Sequence, residues 1–261
     1  MTAASQSAPR NRVAAPAPAS PNPDRIAFLG AADGETGAGE PIVVQALCWP
    51  TVPEAWIGLN QAWRTLRIGR GNPSPYTPVA AGTSSWIRQC APQLAEPFQG
   101  TAAAEESSVA ALLARTPVQI AVSIHGLGRS SGATSPRTLS NCLVAYDRYL
   151  RGPLRRACTM LVCRSQSAET DRLYLKDLDQ CRAQMAGATW LRDMQLQAWT
   201  DPVEPLPLEL AQLAAASVMR HVLADGDRDP VFDAVSTKLT NDPFPRGWVA
   251  KTGRSSSRKR G

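Results

Sequence analysis

The sequence predicts a mainly α-helical core with one or two short pairs of β-strands, set between two disordered arms. Three observations carry this prediction. Several long segments repeat apolar residues at steps of three and four, the spacing of one helical face. Only two short runs, 41–49 and 116–124, read as strands. The first 25 residues contain no aromatic side chain, and Met1 and Val13 are their only large apolar ones. They bury too little surface to offset the entropy of ordering them. The chain therefore divides into a disordered Ala/Pro/Ser arm (1–25), a single mainly helical domain (26–250) and a basic flexible tail (251–261).

The elements follow in order. "LGAADGETGAGEP" is Gly-rich and reads as a loop, and "PIVVQALCW" (41–49) is a candidate strand. Pro53 opens a helix in which Trp56, Leu59, Trp63 and Leu66 share a face. Glycines and prolines end it, and the segment to about residue 83 is a loop. "SSWIRQCAPQL" holds one short helix, and "TAAAEESSVAALLAR" (101–115) is helical by propensity. In "TPVQIAVSI" (116–124), Val118, Ile120, Val122 and Ile124 alternate as in a strand. Leu139, Leu143, Tyr146, Leu150, Leu154, Ala157 and Leu161 then form an amphipathic stripe, kinked at Gly152-Pro153. The helical pattern continues through "AETDRLYLKDLDQCRAQMAGATWLRDMQLQAW". A Pro-rich hinge leads to a helix over 208–226 with Gly226 as its C-cap, and a last short helix covers "DPVFDAVSTKL".

Composition bounds the function. No apolar h-region marks a secretory signal, and the prolines of the arm argue against a transit peptide. No apolar run approaches 18 residues, so no membrane association is expected. The six cysteines form no C-x-x-C pair and there are only two histidines, so no metal site and no cofactor is expected, and the thiols are expected to be reduced. The formal charge is +6, of which the tail "KTGRSSSRKRG" supplies +5. Arginine outnumbers lysine 24 to 4, which suits phosphate recognition but also follows from a GC-rich gene.

"IHGLGRSSG" (124–132) carries two hydrolase signatures at once. His125-Gly126-Leu127-Gly128 looks like an oxyanion loop, and Gly128-Arg129-Ser130-Ser131-Gly132 fits G-x-S-x-G. One short loop cannot serve as both. No second G-x-S-x-G follows, and His221, the only downstream histidine, lies in an Ala/Leu-rich helix. The simpler reading is a strand-to-helix loop whose glycines supply turns, with Thr134 or Ser135 capping the next helix. Gly126, Gly128 and Gly132 would also let backbone N–H groups approach a phosphate.

The candidate nucleic-acid contacts are basic. Arg148, Arg151 and Arg155 recur at helical steps opposite the apolar stripe, with Arg156 and Arg137 nearby. Lys251, Arg254, Arg258, Lys259 and Arg260 add a flexible cationic tail. Arg64, Arg67 and Arg70 form a second set. The competing reading is a solvated face with partners such as Asp147. The tryptophans read as core, with no stacking platform.

The arm "VAAPAPASPNP", the 40 Ala, 22 Pro and 20 Ser, the basic Ser/Arg tail and the length near 260 together resemble the proline-alanine-serine-rich proteins of polymycoviruses. The resemblance is compositional and carries no site residue over. It implies a viral structural protein that coats and protects genomic double-stranded RNA without reading its sequence, a homo-oligomer along that RNA, and a place in a virion or ribonucleoprotein of the host cytoplasm. It implies no enzyme. The alternatives are a serine hydrolase of α/β type using the 125–132 loop, or a bacterial interaction protein.

Overall fold

The computed structural model describes residues 23–37, 39–69, 85–98, 101–126, 138–153, 155–224 and 229–244. Among them the chain builds β1 (Ile26–Glu35), β2 (Pro41–Pro50), α1 (Ala55–Gly69), α2 (Trp86–Cys90), α3 (Pro92–Ala95), α4 (Ala102–Arg115) and β3 (Val118–His125). It continues with α5 (Thr138–Leu150), β4 (Met160–Arg164), α6 (Ala168–Gln184), α7 (Thr189–Asp193), β5 (Gln195–Trp199), α8 (Leu206–Leu223) and α9 (Pro230–Ser236). The strands form one sheet in the order β3-β2-β1-β4-β5. β1, β2 and β3 are an antiparallel meander, and β4 and β5 extend it in parallel beyond β1. This is an α/β fold, which overturns the mainly helical class the sequence predicts.

Helices cover both faces of the sheet. Phe28, Val44, Ala46, Cys48, Ile120, Val122 and Val162 share one core with α1–α4, α8 and α9. Ala27, Leu29, Leu47, Trp49, Ala121, Leu161 and Cys163 share the other with α5, α6 and α7. Neighbours such as Ala46, Leu47, Cys48 and Trp49 thus alternate between two dry layers, and a strand buried on both faces reads as a continuous apolar run. The crossover through α5 carries the chain from β3 past β2 and β1 to β4, and α6 and α7 carry it on to β5. After β5 it passes to the opposite face as α8.

α8 is the central helix of that face. It is apolar nearly all round and buried over most of its length. Leu208, Leu210, Leu213 and Val218 are at most 1% exposed, each burial being favourable by about 1.5–3 kcal/mol. Ala211, Ala214 and Ala215 let its backbone lie close to the sheet. At the contact, a Cβ on Gly30 would collide with the backbone carbonyl of Ala211. The Gln212 side chain accepts from the Ala31 N–H at 3.0 Å, beyond the point where β4 stops pairing with β1.

The differences from the sequence reading have identifiable causes. The first part of the Gly-rich "loop", Leu29 to Glu35, belongs to β1, because α8 needs small residues there and β2 supplies its backbone partners, and only the short link that follows joins β1 to β2. The stripe from Leu139 to Leu161 is not one kinked helix. α5 ends at Leu150, and Met160–Arg164 is β4, paired on both sides. Gln195–Trp199 is β5 rather than helix, and "SSWIRQCAPQL" holds two short helices. The C-cap of α8 is Ala224, and Gly226 lies outside the described residues. The strands at 41–49 and 116–124 and the helices at 53–69, 101–115, 208–226 and 229–239 are present within a few residues of their expected bounds.

Candidate nucleic-acid interface

The four predicted contact arginines of the folded part gather where α5 ends. Leu139, Cys142, Leu143 and Tyr146 point into the core and are fully buried, which turns Arg148 outward. Gly152 and Pro153 cannot continue the helix, and the last turn closes with Gly152 N–H donating to Tyr149 O at 3.1 Å. The chain then folds back. Arg155 lays its guanidinium 3.7 Å from the centre of the Tyr149 ring and donates to the Tyr149 carbonyl at 2.9 Å. Cys158 N–H donates to the Tyr146 hydroxyl at 2.7 Å, and burial pushes that hydroxyl far above the ordinary tyrosine range. Arg148, Arg151, Arg155 and Arg156 are all exposed. They form a cluster made by a turn, not the row along one helical face that their spacing predicts.

An aromatic base holds this turn. Trp49 packs on Tyr146 and Tyr149 at 4.8 and 5.3 Å, and Tyr146 meets Trp190 edge-on at 5.0 Å. The Trp190 indole donates to Asp147 at 2.9 Å, and Arg151 bonds the other oxygen of that carboxylate at 2.8 Å. The Trp190 hydrogen bond, followed by the Arg151 contacts, holds the Asp147 carboxyl below its usual range. Arg151 is therefore partly neutralised and Arg155 is committed to Tyr149. Arg148 and Arg156 make no ion pair among the described residues. Cations at the C-terminal end of a helix also complement its dipole.

Arg148 opens onto a cleft of about 390 Å³ between β3, α5 and the segment after α9. Its polar lining is Ser123, Asn141, Asn241 and Asp242. Asn141 donates to the Ser123 hydroxyl at 3.2 Å, and both ends of the Asn241 amide are taken by the backbone of Val122. The Arg148 guanidinium and the second Asn141 N–H are donors suited to an oxyanion.

The other sequence candidates fall elsewhere. His125 ends β3, and Gly126 follows with φ 95°, its Cα side closed by the Pro41 carbonyl, so a side chain there is strained twice over. Ser130, Gly128, Gly132, Thr134, Ser135 and Arg137 lie outside the described residues, as does the whole tail with Lys251, Arg254, Arg258, Lys259 and Arg260. His221 is buried in α8 and stacks on Phe232 at 3.6 Å. In the second arginine set, Arg67 pairs with Glu96 at 3.1 Å and lies over Trp63, while Arg70 lies outside the described residues. All six thiols are unpaired, and burial pushes those of Cys90, Cys142 and Cys163 up to about 12 and that of Cys158 up to about 11. They are poor nucleophiles. Among the described residues no group of three His, Cys, Asp or Glu side chains is placed to hold a metal ion, and no helix is long and apolar enough to cross a membrane.

Charge is segregated along the chain. The described residues hold 16 Lys and Arg against 20 Asp and Glu, a balance of −4. The whole chain carries +6, so the remaining segments hold an excess of +10. Sequence reading found the four arginines but missed what gathers them: Tyr146, Tyr149 and Trp190, and the Ser123–Asn141–Asn241 cleft. The Tyr146–Tyr149 step was visible as spacing, but the cleft joins residues more than a hundred positions apart and leaves no local pattern. No family model, no curated protein and no solved structure matches this chain.

Proposed function

We propose that this chain binds double-stranded RNA through sequence-independent phosphate contacts and serves as a coat-like viral structural protein, without catalytic activity. The observation that carries the reading is the segregation of charge. The described residues of the α/β fold sum to −4 and bear an exposed arginine cluster at the end of α5, and the remaining residues of the chain hold the excess of +10. Exposed guanidinium groups meet phosphates and 2′-hydroxyls but have no access to base edges in the deep, narrow major groove of A-form RNA. The compositional likeness to the polymycovirus proteins points the same way.

The test compares two duplex RNAs of unrelated sequence. Arg148→Ala with Arg156→Ala removes the two cations of the cluster that make no ion pair among the described residues and leaves the Arg151–Asp147 and Arg155–Tyr149 contacts in place. The double variant is expected to keep its thermal midpoint and to bind both duplexes several-fold more weakly, by the same factor. Each lost phosphate contact should also flatten the log–log salt slope by about 0.7–0.9. Parental affinity in the folded variant, or a loss on one duplex only, would overturn the reading.

A further inference from the structure

The two edges of the sheet are treated differently. The outer edge of β3 is covered. Ile120 N–H donates to Lys238 O at 3.0 Å, Thr240 N–H donates back to Ile120 O at 2.9 Å, and the Asn241 amide bonds both backbone groups of Val122 at 3.0 and 2.7 Å. At the other edge, β5 has no neighbour among the described residues beyond β4. Its sequence, Gln195-Leu196-Gln197-Ala198-Trp199, carries no charge and no proline, the usual devices that keep an open edge from pairing.

The ladder fixes which groups face outward. Gln195 N–H donates to Thr159 O, and Ser165 N–H donates to Trp199 O, both at 2.9 Å toward the β4 side. By alternation, Gln195, Gln197 and Trp199 bond β4, while the N–H and C=O of Leu196 and Ala198 face away from it. Gln195 and Gln197 have exposed side chains.

We propose that β5 pairs antiparallel with β5 of a second copy of this chain, joining two five-stranded sheets into one continuous sheet about a two-fold axis through Gln197. The segment is self-complementary in one register. Leu196 meets Ala198 of the partner subunit, and Ala198 meets Leu196 of the partner subunit. Each of these is a pair that exchanges both of its N–H···O bonds. Gln197 then faces its own copy in the non-bonded position between them, where two amide side chains can bond each other across the axis. Closure about a two-fold axis uses up both edges, so the assembly stops at a dimer through this surface. The argument rests on the sheet alone and does not depend on the RNA reading.

Analytical ultracentrifugation of the full chain without RNA tests it. A concentration-dependent dimer is expected at micromolar to tens-of-micromolar protein. Gln197→Lys places like charges opposite each other on an exposed position and should return the monomer with an unchanged thermal midpoint. Ala198→Pro removes an outward N–H without touching the β4 ladder and should do the same. Gln197→Cys should give a disulfide-linked dimer on mild oxidation, since Cα atoms in a non-bonded antiparallel pair lie within bridging distance, whereas Gln195→Cys should not. A monomer at all concentrations overturns the proposal. So does a dimer that ignores Gln197→Lys and leaves the Gln197→Cys variant uncrosslinked.

Discussion

Glu209 lies in the first turn of α8 and turns both carboxylate oxygens to the start of α3. One accepts from Gln93 N–H at 3.1 Å and the other from Leu94 N–H at 2.7 Å. Burial outweighs these bonds and pushes the carboxyl up to about 7. The folded state therefore holds a proton that the unfolded chain releases near 4.5. The contribution is fully present below the unfolded value and is lost as pH rises through the folded one. Unfolding free energy should fall between about pH 5 and pH 8, by the order of 2–3 kcal/mol. Denaturant titrations at several pH values check this, and Glu209→Gln should flatten the dependence. Gly30 makes a second residue-level statement. Its Cβ would strike the Ala211 carbonyl, so Gly30→Ala should lower stability by about 2–4 kcal/mol, measurable as a shift of the denaturation midpoint. The sequence displays Gly30 as a loop residue, because the reason for it is a helix 181 positions downstream.

At the scale of elements, what was legible is what local periodicity specifies. α1, α4, α8, β2 and β3 carry their own pattern, whether a 3–4 stripe or strict alternation. β1, β4 and β5 do not. The Met160–Arg164 strand continues the spacing of the α5 stripe by coincidence, and only the break at Gly152-Pro153 marks the change. Gln195–Trp199 is five residues long, too short for its alternation to stand out from the helical pattern around it. Because the sequence pattern runs from α5 into β4 as if it were one helix, it predicts Arg148, Arg151 and Arg155 on one continuous helical face. The structure gathers them at a turn instead, so the residues were legible but their geometry was not. The β3 edge yields a prediction of its own. Asn241→Ala leaves the Val122 N–H and C=O without their amide partner. It should destabilise the fold by about 1–3 kcal/mol and raise amide hydrogen exchange at Val122.

For the whole molecule, the charge balance says where the proposed RNA affinity should reside. The described residues sum to −4 and would repel phosphate at long range, so on the proposed reading the arginine cluster of α5 acts only at contact, within the roughly 8–10 Å over which salt leaves such fields unscreened. Most of the cationic excess belongs to the two terminal segments, and residues 251–261 alone carry five positive charges and no acid. The measurement that addresses this most directly is the salt dependence of duplex RNA binding, compared between the full chain and a chain ending at residue 250. The account predicts that the shorter chain folds with the same thermal midpoint and binds more weakly. Its log–log salt slope should be shallower by about 3.5 to 4.5, from about 0.7–0.9 for each of five lost phosphate contacts. An unchanged slope, or no binding by the full chain even at low salt, would contradict it.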